Sequence, residues 1–366
     1  MKIFIKGLHG CKMRAFDVQR YKDFYTAIGD EIVDYPEQAD EILLWTCAFR
    51  ADYRDFSLKA IKFYSEYKKI LHIAGCLPDI CTELSLEGAT DIIKWKEEQI
   101  YFGDLLKRLG RPYCEAPNPA STHFADQFVK LHISEGCKFD CTYCSEKLAF
   151  PPYKSFPADE LADECIKTVE NTGVDKVIIL ADSAGEYGSD TGSSLPKLLR
   201  QIWSRNVKIS FAIHHLHPTH FLMYEQEFMR LIKDGIIFHL VLPIQSASDI
   251  VLKSMNRTYT EQGLIRIFDE LRWINFNRIE THIIVGYPAE TEEDFKQTLH
   301  FLTEFSPRYV LSSTYMGNKE VPSTLLPEVI AGRQKIIKQV LESLGIIVNI
   351  DGGELSQKRF NELNKI

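Results

Sequence analysis

The chain has 366 residues, 45% of them apolar, with 43 Lys and Arg set against 51 Asp and Glu. That mix is ordinary for a globular protein and allows about two domains at roughly 150 residues each. The net charge of −8 does not favour nucleic acid as a partner, although a local basic patch can outweigh the sum. The longest apolar run, Gly235 to Ile244, falls far short of the ~20 residues a membrane span needs. Met1-Lys2-Ile3-Phe4-Ile5-Lys6 reads as a strand and not as a signal peptide, so a cytoplasmic protein with no membrane partner is expected. There, nine cysteines are thiols or metal ligands before they are disulfides.

Residues 2–6 alternate as a strand, and Ala15 to Ile28 carries helical apolar spacing. Asp40 to Trp45 is a short apolar strand, Tyr53 to Tyr67 an amphipathic helix, and Ile70 to Ala74 another buried strand. The rhythm predicts a parallel-sheet α/β domain over residues 1–115. Cys11, Cys47 and Cys76 each follow the C-terminal end of a strand, the edge where α/β domains place their sites. Pro112, Pro117 and Pro119, with Asn118, Ser121 and Thr122, mark a linker over about 111–125.

A second α/β series follows. Its strands are read at Val129–Ile133, Lys176–Leu180, Lys208–Ile213, Phe238–Leu242, Glu280–Ile284 and Arg308–Leu311. Helical stretches lie between them at Asp159–Asn171, Ser194–Trp203, Glu225–Lys233, Glu261–Trp273 and Glu292–Phe305. Six units are too few for a closed eight-fold barrel, so a partial (β/α)6 barrel is expected over 125–325. From Pro327 a short α/β tail, residues 326–366, reads as helix, strand (Ile346–Ile350) and helix.

The chemistry lies in Glu135-Gly136-Cys137-Lys138-Phe139-Asp140-Cys141-Thr142-Tyr143-Cys144, just after the first barrel strand. Its C-x3-C-x2-C spacing offers three thiolates to a 4Fe–4S cluster that needs four ligands, leaving one iron open. A zinc knuckle usually pairs two C-x2-C units with further ligands near by, and none is evident here.

These residues resemble the radical S-adenosylmethionine (SAM) superfamily, in which SAM binds the open iron. The resemblance narrows to its methylthiotransferases, whose N-terminal domain holds a second 4Fe–4S cluster on three further cysteines. Gly10-Cys11-Lys12-Met13 with Asp17, Thr46-Cys47-Ala48-Phe49-Arg50 and Gly75-Cys76 match those motifs. In the barrel, Tyr187-Gly188-Ser189-Asp190, His217-Pro218, Pro243 to Asp249, Met255-Asn256-Arg257 and Ile284 to Phe295 match in order.

The resemblance implies the SAM-cleaving cluster on Cys137, Cys141 and Cys144, and the second cluster on Cys11, Cys47 and Cys76. It implies SAM contacts from Tyr143 at the adenine and from Asp182, Ser183 and Glu186 at the amino group. Gln245 and Ser246 are expected at the ribose or carboxylate, and Gly286 where backbone approaches the adenine. A low-potential flavodoxin or ferredoxin is the expected reductant. The histidines His214, His215, His217 and His220 are not expected to hold a metal. Cys81, Cys114 and Cys165 match no motif, and Glu292-Glu293-Asp294 after Thr291 reads as a helix N-terminus.

Departures fall where the substrate belongs. Trp45 and Arg14 stand at family Asn positions, and the basic run after the triad becomes Lys147 to Ser155. Tyr315 to Val321 replaces a Tyr-Ser-x-Arg-x-Gly-Thr motif, and the family's C-terminal β-barrel domain is expected to be missing. With the acidic balance, these departures suggest methylthiolation of a peptide or protein side chain, as in peptide natural-product maturation. A tRNA adenosine is the alternative substrate. A radical SAM enzyme using the second cluster for sulfur insertion or electron relay without methyl transfer is the alternative activity.

Overall fold

The computed structural model describes residues 1–8, 14–82, 86–112, 122–125, 128–318 and 320–352. Cys11, Cys114 and most of the expected linker lie outside the described residues.

The chain divides into two compact units. The first holds β1 (Lys2–Gly7), β2 (Glu31–Ile32), β3 (Glu41–Thr46), β4 (Ile70–Gly75) and β5 (Asp91–Ile92). They form one parallel sheet in the order β2-β1-β3-β4-β5. Its helices are α1 (Arg14–Ala27), α2 (Ala51–Ser65), α3 (Leu77–Ile80) and α4 (Glu98–Arg108). Every residue of the central strand β3 is buried, as a parallel strand covered on both faces requires. Helix α4 was not expected from the sequence, because Gly103 interrupts its apolar spacing. Packing decides the matter: Phe102, Leu105 and Leu106 are buried in the core, with the Phe102 ring 4.1 Å from that of Phe24. The unit also contains residues 135–137 and 144–153. Ala149 from that later stretch is fully buried in its core, and Phe150 meets Trp95 edge-on.

The second unit is the barrel. Its sheet runs β14-β13-β12-β11-β10-β9-β7-β6, with β8 beside β7. These are β6 (Thr122–Ala125), β7 (Phe128–Glu135), β8 (Lys154–Ser155), β9 (Lys176–Ala181), β10 (Ser210–Ile213), β11 (Ile237–Val241), β12 (Ile279–Val285), β13 (Tyr309–Thr314) and β14 (Ile347–Ile350). From β7 through β14 the neighbours on this path are parallel. The outer helices include α5 (Ala158–Thr172), α6 (Leu195–Arg205), α7 (Pro218–Met223), α8 (Glu225–Lys233), α9 (Asp249–Ser254), α10 (Glu261–Trp273), α11 (Glu292–Phe305) and α12 (Pro327–Ser343). Strand alternation sorts the faces: Val129, Leu131 and Ile133 join the core shared with the helices, while Lys130, His132 and Ser134 point the other way.

The expected C-terminal helix and strand are present and join the barrel, and the expected second helix lies outside the described residues. Strand β14 adds to β13 as a further parallel strand, and α12 buries Ile330, Ile337 and Leu341 in the barrel core. Its apolar stripe has to be covered, and the barrel covers it. At the start of α11, Thr291 and Asp294 close the expected capping box.

Candidate active site

In the first unit, two cysteines are brought together by adjacent strand ends. Cys47 follows β3 directly and Cys76 follows β4. The Cys76 N–H donates to the Thr46 carbonyl at 3.0 Å, and the Thr46 hydroxyl donates to the Ala74 carbonyl at 2.6 Å. Gly75, at φ +95°, allows this approach; a β-carbon there would lie 2.7 Å from the Thr46 nitrogen and 2.9 Å from the Trp45 ring. The Cys47 N–H donates to the Ser57 hydroxyl, which in turn donates to the Cys47 carbonyl. Both thiols are buried and form no disulfide. The Cys47 side chain, then burial, push the Cys76 thiol well above its usual range; Glu146 adds to this and Arg14 opposes it. Arg14 lies 4.4 Å over the Trp95 ring and pairs with Asp17 at 3.0 Å. Two buried thiols facing each other suit a metal group that displaces their protons.

In the second unit, residues 138–143 of the triad loop are fastened on two sides. The Lys138 N–H donates to both oxygens of Glu186, at 2.9 and 3.1 Å. Phe139 stacks on His217, their ring centres 3.9 Å apart. On the other side, the turn after α9 grips the loop. The Asn256 amide donates to the Asp140 carbonyl at 2.8 Å, and the Thr142 N–H to the Met255 carbonyl at 3.2 Å. The Thr142 hydroxyl lies 2.7 Å from that of Tyr287, and the Asn318 amide donates to the Thr142 carbonyl at 2.8 Å. Arg257 donates to the Cys141 sulfur at 3.4 Å and to the Tyr143 hydroxyl at 3.1 Å. Cys141 is buried, whereas Cys137 and Cys144 are half-buried.

Among the described residues, no three His, Cys, Asp or Glu side chains converge tightly enough for a single metal ion. That applies to the four histidines too. Burial pushes His217 far down and His220 down to about 4, so both are neutral rings. A four-iron cluster takes its thiolates at separate corners and needs no such tight convergence. The Arg257 guanidinium beside Cys141 fits a thiolate that carries an anionic cluster.

The expected SAM contacts divide. Asp182, half-buried, and Ser183, buried, follow β9 at the barrel's carboxyl edge. Glu186, 4% exposed, is pushed up to about 7 by burial, with Asp182 adding to the rise and Lys138 opposing it. Gln245 sits at φ +62°, held by its N–H on the His282 carbonyl and by the Ile284 N–H on its own carbonyl. Such left-handed, non-glycine backbone gathers at functional sites.

Ser246 and Gly286 have structural duties that the sequence did not reveal. The Ser246 hydroxyl is 3.1 Å from that of Thr298 and accepts the Ser248 N–H, deep under α11. At Gly286 a β-carbon would strike Ile330 at 2.6 Å, and the Gly286 N–H is held by Glu290. These packing duties stand beside the expected contacts of Ser246 with the ribose or carboxylate and of Gly286 with the adenine. Sequence reasoning missed Arg257, Asn256 and Lys138 as a clamp, although the Met255-Asn256-Arg257 run had been singled out.

The barrel interior is also polar. Glu280 is fully buried, with the His282 ring at 2.8 Å and the His239 ring at 3.7 Å. Closed barrels of this type fill their interior with branched apolar side chains.

An open parallel barrel with a three-cysteine loop at its carboxyl edge defines a radical SAM enzyme. A family model described as the radical SAM superfamily matches residues 131–302, and one described as uncharacterized protein family UPF0004 matches residues 2–93. The chain belongs to the radical SAM methylthiotransferase family, enzymes that form C–S bonds using two 4Fe–4S clusters and SAM. It is 27% identical to a probable threonylcarbamoyladenosine tRNA methylthiotransferase of Methanocaldococcus jannaschii, over 94% of this chain and 82% of that protein. It is equally 27% identical to the ribosomal protein uS12 methylthiotransferase RimO of Thermosipho melanesiensis, with the same coverage. Among solved structures, the radical SAM methyltransferase TsrM of Kitasatospora setae shares the fold, with a TM-score of 0.63 over 86% of this chain and 74% of that one, at 13% identity. No helix among the described residues is long and apolar enough to cross a membrane.

Proposed function

We propose that the chain is a tRNA methylthiotransferase that replaces a C–H hydrogen of a modified adenosine with a methylthio group. The observation that carries this reading is the similarity to a relative named for that substrate over 94% of this chain. Cys137, Cys141 and Cys144 hold the SAM-cleaving cluster, and Cys11, Cys47 and Cys76 the second. When bound, these groups supply the electron, the radical and the sulfur that no side-chain acid or base could provide at an unactivated carbon.

The chain's own residues position and enclose. Glu186 and the turn at 254–257 fix the loop that carries Cys141 and Tyr143. Asp182 and Ser183 face the SAM amino group, Tyr143 the adenine, and Gln245 the ribose or carboxylate. A low-potential flavodoxin or ferredoxin supplies electrons, and the cytoplasm keeps the thiols reduced.

A second reading, a ribosomal-protein substrate, is favoured by the net charge of −8, which repels RNA phosphates and suits a basic protein. Maturation of a peptide natural product finds no support in these relatives, which are named for tRNA and for uS12. To test the proposal, reconstituted protein is incubated with SAM, dithionite and either threonylcarbamoyl-modified tRNA or uS12. Methylthio mass gain on the tRNA, with S-adenosylhomocysteine formed, supports it. Gain on uS12 alone selects the second reading, and SAM cleavage without S-adenosylhomocysteine overturns methyl transfer.

A further inference from the structure

Among the described residues, Arg257 is a cation without an anion. Its Nε donates to the Tyr259 hydroxyl at 2.9 Å, one terminal nitrogen to the Pro243 carbonyl at 2.9 Å, and the other to Tyr143 and Cys141. The acceptors are two phenols, a carbonyl and a sulfur, all neutral when Cys141 is a thiol. None of the described carboxylates lies within ion-pairing distance. An arginine guanidinium does not lose its proton in a protein, so the charge is permanent. Arg257 is half-buried, and a permanent charge partly withdrawn from water among neutral dipoles is disfavoured. The one acceptor that gains a negative charge on binding a cluster is the Cys141 sulfur.

The surroundings aim this charge. The Tyr259 hydroxyl that receives Nε is itself fixed by donating to the Ile244 carbonyl at 2.7 Å. The guanidinium carbon stands 5.0 Å over the Tyr259 ring and 6.0 Å over that of Tyr143. Asn256, at φ +58°, turns the chain so that its own amide reaches the Asp140 carbonyl. A neutral strut would serve the clamp equally well; the charge calls for a separate reason.

We infer that Arg257 is a positioning residue that sets the reduction potential of the triad cluster through Cys141, while holding Tyr143 in place for SAM. The inference rests on the assignment of Cys141 to that cluster. Accepting an electron adds negative charge beside a fixed cation and an N–H···S bond, and both favour the reduced state. Arg257 therefore makes the cluster easier to reduce by a physiological donor. The electron comes from the reductant and passes on to SAM; Arg257 itself neither gains nor loses one.

The test is a redox titration of the reconstituted full chain, following the EPR signal that changes when SAM is added. Arg257→Gln is expected to lower the reduced-to-oxidised ratio at a fixed poise about tenfold, equivalent to a midpoint about 59 mV more negative. Arg257→Lys, which keeps the charge, should recover most of that shift. Tyr259→Phe, which releases Nε alone, should move the ratio about threefold in the same direction.

A wild-type midpoint in Arg257→Gln with full iron content overturns the inference, as does an Arg257→Lys shift equal to that of Arg257→Gln. If Arg257→Gln does not fold, an unchanged midpoint in Tyr259→Phe overturns it. Iron content tests the underlying assignment separately. Cys141→Ala should hold about four irons in place of about eight, and if it keeps all eight the cluster assignment fails, whatever Arg257 does.

Discussion

Gly75→Ala tests the arrangement that brings Cys47 and Cys76 together. The native φ of +95° suits glycine and strains alanine by about 1 kcal/mol. The added β-carbon would also press on the Thr46 backbone and the Trp45 ring, both fixed in the fully buried β3. Overpacking of that kind costs about 1–3 kcal/mol more. Reduced freedom of the unfolded chain returns about 0.5 kcal/mol, leaving a net loss of about 1.5–3.5 kcal/mol. Gly29→Ala is the control: its φ is +85° and nothing lies within 4 Å of the β-carbon, so only the strain of about 1 kcal/mol, less the same ~0.5 kcal/mol, applies. Urea unfolding of the metal-free chain should show the difference, because Gly75 and the control position both lie in the first unit and are read from its transition. After reconstitution, Gly75→Ala should also fall from about eight irons toward about four, because the two strand ends separate. Equal costs for the two variants, with full iron in Gly75→Ala, would refute the reasoning.

Three further outcomes are expected. Cys47→Ala and Cys76→Ala should each hold about four irons yet still cleave SAM, as shown by 5′-deoxyadenosine without S-adenosylhomocysteine. Glu186 gives a pH dependence. Between about 4.5 and about 7 the unfolded chain has lost a proton that the folded one keeps, so metal-free stability falls with rising pH by up to about 3 kcal/mol. Glu186→Gln should abolish that slope, matching the wild type at pH 4 and exceeding it at pH 8 in urea melts. Arg333→Met should cost about 3–5 kcal/mol in the same assay, because it leaves Glu290, paired with Arg333 at 2.6 Å, buried without its cation.

The sequence made some of this legible and hid the rest for identifiable reasons. Barrel strands that are short apolar runs were readable, as Lys176–Leu180, which became Lys176–Ala181; Glu280–Ile284 became Ile279–Val285 although it carries Glu280, Thr281 and His282. Helix α4 was not readable, because its support comes from Phe24 and its partners, far away in sequence. Cys47 and Cys76 were legible as a pair from their shared strand-end position. The duties of Ser246 and Gly286 depend on Thr298 and Ile330, residues some 50 positions distant that no local pattern connects to them. Arg257 lies 116 positions from Cys141, so the motif gave its presence and only the fold gave its target.

The first unit is not one continuous length of chain, and this bears on how the protein is made. Its core closes only when Ala149 and Phe150 arrive, long after α4 and after β7 of the barrel. On a ribosome adding about 5–20 residues each second, the sheet that carries Cys47 and Cys76 waits several seconds with a gap in its core. A nascent chain halted before Ala149 should remain protease-sensitive across its first hundred residues, and one released beyond Tyr153 should resist. The stretch just after Cys144 thus completes the unit begun at the N-terminus, so synthesis itself orders the assembly: Cys47 and Cys76 are secured only after the triad has been translated.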